Sequence, residues 1–147
     1  MQLTKFTDYA LRVLIYAALN KDRQITISEL TEKYQLPKNH LIKVVHQLSK
    51  EGLLLSKRGR SGGLMMGKSA DKIMVGYVVS RFEPQVDIVD CANPRCVISV
   101  GCVLKKALNE AHEAFINTLN QYTIADLIKE KNYLLIQFGL DIDVVHH

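Results

Sequence analysis

The spacing of apolar and polar positions predicts helices over the first third of the chain. From Phe6 to Leu19 apolar residues return at helical intervals, at Phe6, Ala10, Val13, Leu14 and Ala17, with Asp8 and Arg12 on the other side. Asn20-Lys21-Asp22-Arg23 reads as a polar loop. Thr26-Ile27-Ser28-Glu29 then has the spacing of a capping box, in which hydroxyl and carboxylate each satisfy a first-turn N–H group. That predicts a second helix to about Tyr34. Gln35-Leu36-Pro37 predicts a short break, because proline needs no N–H partner and suits the first turn of the next helix. From Lys38 to Glu51 the apolar face is Leu41, Val44, Val45 and Leu48. Asn39, His40, Lys43, His46, Gln47 and Lys50 are left on the other faces. Two short helices around a tight turn predict a helix-turn-helix.

Gly52 stands where a helix ends in a left-handed residue. Leu53-Leu54-Leu55 and Leu64-Met65-Met66 predict two strands, joined by the loop Lys57-Arg58-Gly59-Arg60-Ser61-Gly62-Gly63. Glycines clustered at such a loop suit the positive-φ positions of a hairpin tip. A basic hairpin directly after a helix-turn-helix is a wing. Residues 73–82 predict a short helix, and 83–102, with two prolines, a glycine and every cysteine, predict an irregular loop. Leu104, Ala107, Leu108, Ala111, Phe115, Leu119 and Tyr122 step by three or four and predict a long amphipathic helix. Its stripe exceeds what one small domain covers, which predicts a dimer interface. Thr123-Ile124-Ala125-Asp126 is a second capping box opening a short helix, and after about Lys131 no clear period remains. The expected fold class is mainly α with a β-hairpin wing. The division is 1–82 DNA-binding winged helix-turn-helix, 83–102 cysteine loop, 103–131 dimerisation helix with a short C-terminal helix, and 132–147 tail.

Charge sharpens this picture. Residues 1–67 carry eleven Lys/Arg against five Asp/Glu, whereas 68–147 carry eight against ten, so the excess of +4 sits wholly in the first half. That asymmetry implies a polyanionic partner for the winged helix. Asn39, His40, Lys43 and Gln47 on the second helix of the pair are the candidates for reading base edges in a major groove. Lys57, Arg58 and Arg60, with Ser61 and Gly62 at the tip beside them, are the candidates for a flanking minor groove and its phosphates. No apolar run approaches the ~20 residues of a membrane span, and the start lacks a signal-peptide pattern, so a cytoplasmic location is expected. No nucleophile–base pair, paired carboxylates or phosphate loop is legible: Gly59-x-x-Gly62-Gly63 lacks the GK[ST] ending and the strand–loop–helix context. An enzyme is not expected.

Three cysteines, Cys91-x4-Cys96-x5-Cys102, are the only ones in the chain. In a reducing compartment such a group points to metal or redox chemistry. The gaps are too long for CxxC-type zinc pairs or a redox CxxC. Three thiolates on one loop suit an iron–sulfur cluster, while zinc and redox-active thiols stay open as alternatives. A cluster would need one more ligand, for which Asp8, Glu83, Asp90 and His112 are candidates.

Met1-Gln2-Leu3-Thr4-Lys5-Phe6-Thr7-Asp8-Tyr9-Ala10-Leu11-Arg12, the wing Arg58-Gly59-Arg60-Ser61-Gly62-Gly63, the three cysteines and Tyr122-Thr123-Ile124-Ala125-Asp126-Leu127 together resemble the winged-helix iron–sulfur repressors that include IscR and NsrR. The cysteine spacing and Pro37-Lys38-Asn39-His40-Leu41-Ile42-Lys43 resemble the NsrR-type nitric-oxide sensors more closely. The His that IscR-type members carry three residues after the third cysteine is Lys105 here. The resemblance implies a homodimer on a pseudo-palindromic operator in double-stranded DNA. It also implies a [2Fe–2S] or [4Fe–4S] cluster on Cys91, Cys96 and Cys102, a fourth ligand from Asp8 of the partner subunit, and nitric oxide as the signal. A regulator of the same fold answering to iron, cluster status or redox stress, and a cofactor-free thiol switch, are the rival readings. One departure is Tyr77, where the family usually has an acidic residue; the loss weakens capping of that helix and alters the bracing of the wing.

Overall fold

The computed structural model describes residues 2–85 and 87–140. The chain runs α1 (Lys5–Leu19), α2 (Ile27–Tyr34), α3 (Lys38–Lys50), β1 (Leu54–Lys57), β2 (Gly63–Met66), a turn of 3-10 helix (Ala70–Lys72), α4 (Val75–Phe82), α5 (Val103–Leu119), α6 (Ile124–Leu127) and α7 (Lys131–Gln137). The mainly helical fold with one antiparallel hairpin agrees with the sequence reading.

The apolar stripes meet where the spacing placed them. Ala10, Val13, Leu14 and Ala17 of α1 pack with Leu30 of α2, Leu41, Val44, Val45 and Leu48 of α3, and Val78, Val79 and Phe82 of α4 in one buried core. Each fully buried Leu or Val there contributes about 1.5–3 kcal/mol against its exposed state. Thr4 caps α1, accepting from the Thr7 N–H at 3.3 Å. Gln35, left-handed at φ 54°, turns the chain between α2 and α3.

At the end of α3 the backbone closes a full Schellman motif. Gly52 sits at φ 71°, its N–H donates to the Ser49 carbonyl at 3.0 Å, and the Leu53 N–H donates to the Leu48 carbonyl at 2.9 Å. This fixes the angle at which the wing leaves α3. β1 and β2 pair antiparallel with Leu54 opposite Met66 and Lys57 opposite Gly63; β1 starts one residue later and ends two later than the triplet read from sequence, and β2 starts one earlier and ends where expected. The wing is also held from outside: Ile25 exchanges two backbone hydrogen bonds with Leu64, at 3.0 and 2.7 Å, which ties β2 to the α1–α2 connection.

Three expectations change. Thr26 caps α2 by accepting from the Glu29 N–H at 3.1 Å, but the Glu29 carboxylate does not return to complete the box. It is drawn to Arg23 and to the Tyr16 hydroxyl, which donates at 2.5 Å; a guanidinium outcompetes a backbone N–H for a carboxylate. Thr123 and Asp126 do complete theirs. The helix expected over 73–82 starts at Val75, after the 3-10 turn. Finally, the aperiodic end contains α7. Leu135 is buried, and the Phe138 ring meets Tyr16 at 5.2 Å and 88° and Tyr34 at 5.1 Å and 77°. Lys33 Nζ donates to the Phe138 carbonyl at 2.8 Å, so the chain folds back onto the helix-turn-helix. The last part of the sequence-derived tail, 141–147, lies outside the described residues.

Candidate nucleic-acid interface and cysteine loop

α3 presents its polar side outward because its apolar residues are consumed by the core. Asn39, His40, Lys43 and His46 are exposed, and the His40 ring lies 6.2 Å from that of Tyr9. Gln47 is different. It is half-buried, and its Nε2 donates to Glu51 Oε1 at 3.1 Å. The structure thus separates Gln47 from the freely exposed set.

Glu51, the C-cap of α3, is the centre of a clamp to α4. Arg81 donates from Nη2 to Oε1 at 2.7 Å and from Nε to Oε2 at 3.1 Å, and the Tyr77 hydroxyl donates to Oε2 at 3.3 Å. The guanidinium of Arg81 is the main cause that holds the Glu51 carboxyl below its ordinary range. Tyr77, the departure noted in the sequence, is therefore absorbed: the carboxylate for this junction comes from α3, and Tyr77 donates to it. Neither Tyr77 nor Glu51 stood out in sequence as a pair, since 26 positions separate them.

The wing tip is exposed at Lys57, Arg58, Arg60 and Ser61. The Gly62 N–H donates to the Gly59 carbonyl at 3.0 Å. A Cβ at Gly62 would collide with the Lys57 carbonyl oxygen, so the tight tip that gathers these cations requires glycine there.

The cysteine loop leaves α4 at Glu83, whose carboxylate accepts from the Thr4 N–H at 2.6 Å and from the Thr4 hydroxyl at 3.1 Å. The loop is thereby fastened to the start of α1. Cys91, Cys96 and Cys102 are free thiols of intermediate exposure. The Cys96 N–H donates to the Cys91 carbonyl at 3.0 Å, and Cys102 stands at the N-cap position of α5 without a side-chain capping bond. Among the described residues no three His, Cys, Asp or Glu side chains gather into a metal-holding group. The donor set itself suits an iron–sulfur cluster, three unpaired thiols on one irregular loop; of the three, Cys91 alone lines the cleft of about 540 Å³ that it shares with Asp87, Asp90, Arg95 and Lys105.

The three carboxylate candidates are each engaged within the subunit. Asp8 accepts from Arg12 Nε at 3.0 Å. Asp90 accepts from the N–H groups of Ala92 and Asn93, at 2.8 and 3.0 Å, which lowers its pKa. Glu83 holds Thr4, and His112 is exposed on α5. On α5 no residue is fully buried. Phe115, Ile116 and Leu119 pack partly against the core, while Val103 and Leu104 are 78% and 63% exposed. Leu3, Leu11, Val75, Val79, Phe115 and Leu119 line an apolar cleft beside this helix.

A helix-turn-helix whose second helix closes in a Schellman motif, followed by a basic hairpin pinned to the same core, defines a winged helix-turn-helix protein. The model of the Rrf2 family, iron-dependent transcriptional regulators, matches residues 3–130, and the chain belongs to that family. It is a transcriptional regulator, and members of the family are DNA-binding regulators rather than enzymes. Among solved structures it is similar to CymR (YrzC), the global cysteine regulator of B. subtilis, at 20% identity, covering 90% of this chain and 98% of that one, with a TM-score of 0.73. T. potens IscR matches at 19% identity, 88% of each chain and a TM-score of 0.72. Staphylococcus aureus CymR matches at 22% identity, 86% of this chain and 97% of that one, with a TM-score of 0.70. Likeness at these identities speaks for the fold. No helix among the described residues is long and apolar enough to cross a membrane.

Proposed function

We propose that the protein is a homodimeric repressor that holds an iron–sulfur cluster on Cys91, Cys96 and Cys102 and releases its operator in response to nitric oxide. The observation that carries this reading is the set of three free thiols on a loop that continues directly from α4, the helix clamped to the reading helix. The family's iron-dependent character supports the cluster. The spacing of the cysteines and Lys105 in place of the IscR-type His support nitric oxide as the signal.

In this reading residues 1–82 bind DNA, with α3 in the major groove and Lys57, Arg58, Arg60, Ser61 and Gly62 at the flanking minor groove and its phosphates. Asn39, His40 and Lys43 face base edges, while Gln47, named with them from the sequence, is held to Glu51. The stripe of α5 within 103–131 pairs two subunits, and 83–102 is the sensing loop. Asp8 of the partner subunit is the fourth ligand, which requires Arg12 to release or share it. When bound, the cluster supplies iron that reacts with nitric oxide. The chain's own part is mechanical. The loop is fastened to α1 through Glu83 and Thr4, and α4, from which it continues, is fastened to α3 through Arg81 and Glu51, so a rearrangement of the loop reaches the reading helix through α4. Two dimer geometries then differ in operator affinity, and the cluster must favour one of them.

Iron and sulfide content with visible absorbance after anaerobic purification tests the cofactor. The wild type is expected to carry both and Cys96→Ala to carry neither; a colourless wild type overturns the cluster. Asp8→Ala is expected to alter the response to nitric oxide while the fold persists. A second reading, a thiol switch without a cluster, draws on the partly exposed free thiols and on S. aureus CymR, which has been solved in an oxidised form. Disulfide-linked species in place of iron would favour it.

A further inference from the structure

α3 carries five large apolar residues, and four of them, Leu41, Val44, Val45 and Leu48, are buried. The fifth, Ile42, is 44% exposed and does not join the residues packed on the core. A β-branched residue in an exposed helical position loses rotamer freedom and helix propensity without a packing return, so the fold does not account for it. Its neighbours do suggest a use. Residues three and four apart share a helix face, and Ile42 therefore lies on one stripe with Lys38, Asn39 and His46, bordered by Lys43. All of these are exposed. The stripe offers cationic and hydrogen-bonding groups around a single apolar spot.

The major-groove edge of B-DNA has one apolar group, the C5-methyl of thymine, among its donors and acceptors. We propose that Ile42 is a specificity-determining residue that reads a thymine methyl in each half-site. This rests on the reading of α3 as the groove-binding helix, and it adds a base preference that Asn39, Lys43 and their polar neighbours do not supply. Burying one methyl group against an apolar side chain changes affinity by about fourfold, which is the size of effect to look for.

Deoxyuridine differs from thymidine only by that methyl, so it isolates the contact. The full-length protein, purified anaerobically, selects duplexes from a randomised pool, and each thymine of the selected sequence is then replaced by deoxyuridine in turn. The expected result is one thymine per half-site whose demethylation weakens the wild type by about fourfold. Ile42→Ala should bind the methylated and demethylated duplexes equally, whereas Ile42→Val, which keeps a branched methyl, should retain most of the difference. A wild type indifferent to every demethylation overturns the proposal, as does an Ile42→Ala variant that still discriminates. Enrichment of no sequence by the wild type overturns the assignment of α3 as the reading helix, and the role of Ile42 with it.

Discussion

Arg81 grips both oxygens of Glu51, from Nη2 at 2.7 Å and from Nε at 3.1 Å, and so locks α4, the helix that leads into the cysteine loop, onto the end of α3. The Glu51 side chain is 11% exposed and Arg81 55%. The pair is half-covered, with the Tyr77 hydroxyl and the Gln47 amide completing the carboxylate's set of donors.

Replacing Arg81 with Ala is therefore expected to lower the melting temperature modestly and to weaken operator binding severalfold. Arg81→Lys should restore little of either, because an ammonium is a point charge and cannot span two oxygens as the guanidinium fork does. Thermal melts and fluorescence anisotropy on one operator duplex check both. Full recovery with Lys would mean that charge alone, and not the two-point grip, sets the angle of α3.

The wing calls for separation of charge from shape. Arg60→Ala should reduce the salt dependence of DNA binding by about 0.9 in log–log slope for each phosphate that the guanidinium neutralises. Gly62→Ala keeps every charge but forces the tip away from the Lys57 carbonyl. It should weaken binding while leaving the helical circular dichroism intact. Titrations from low to moderate salt distinguish the two; an unchanged slope in Arg60→Ala removes the wing from the interface.

At the other end of the chain, Phe138→Ala removes two edge-on aromatic pairings, with Tyr16 and Tyr34. Such pairs contribute about 0.5–1.5 kcal/mol each beyond area burial, so a decrease of about 1–3 kcal/mol is expected in urea unfolding. Unaltered stability would show that α7 does not brace α2.

Much of this architecture was legible because its determinants are local. Leu41, Val44, Val45 and Leu48 fall on one helical stripe, Gly52 supplies the left-handed cap, and Thr123 with Asp126 forms a box four residues long. α7 was not legible, since it spans seven residues, buries only Leu135 and takes its anchor from Phe138 beyond its own end. Glu29 misled for a related reason: a carboxylate at the right spacing was claimed by Arg23 in the connection before α2 and by the Tyr16 hydroxyl of α1, partners that the spacing of the box does not register. The same holds for Glu51, which sequence left unremarked. The three cysteines were visible at once, but among the described residues the fold does not gather them into a metal-holding group.

Acid stability follows from Asp126. Its hydrogen bonds from Lys129 and from the backbone and hydroxyl of Thr123 hold its pKa down at about 2, against 3.8 ordinarily. A carboxylate depressed in the folded state contributes stability above its unfolded pKa and loses it as pH falls through the folded one. The difference in melting temperature between wild type and Asp126→Asn should thus be full above pH about 5, shrink below about 4, be small near 2 and vanish only about one unit lower. Asn keeps an acceptor for the Thr123 N–H, so the comparison isolates the charge. A difference independent of pH would assign the effect to hydrogen bonding alone.

The central claim, that a cluster on Cys91, Cys96 and Cys102 sets the geometry of the DNA-reading helices, is tested most directly by operator affinity before and after nitric oxide. Anaerobically purified wild type should bind its selected duplex tightly, lose at least about tenfold in affinity on titration with nitric oxide, a shift of about 1.4 kcal/mol, and lose its visible absorbance in the same titration. Cys96→Ala should bind weakly throughout and ignore nitric oxide. Operator affinity that stays constant while the absorbance disappears, or a Cys96→Ala variant that binds as tightly as the wild type, would contradict the account.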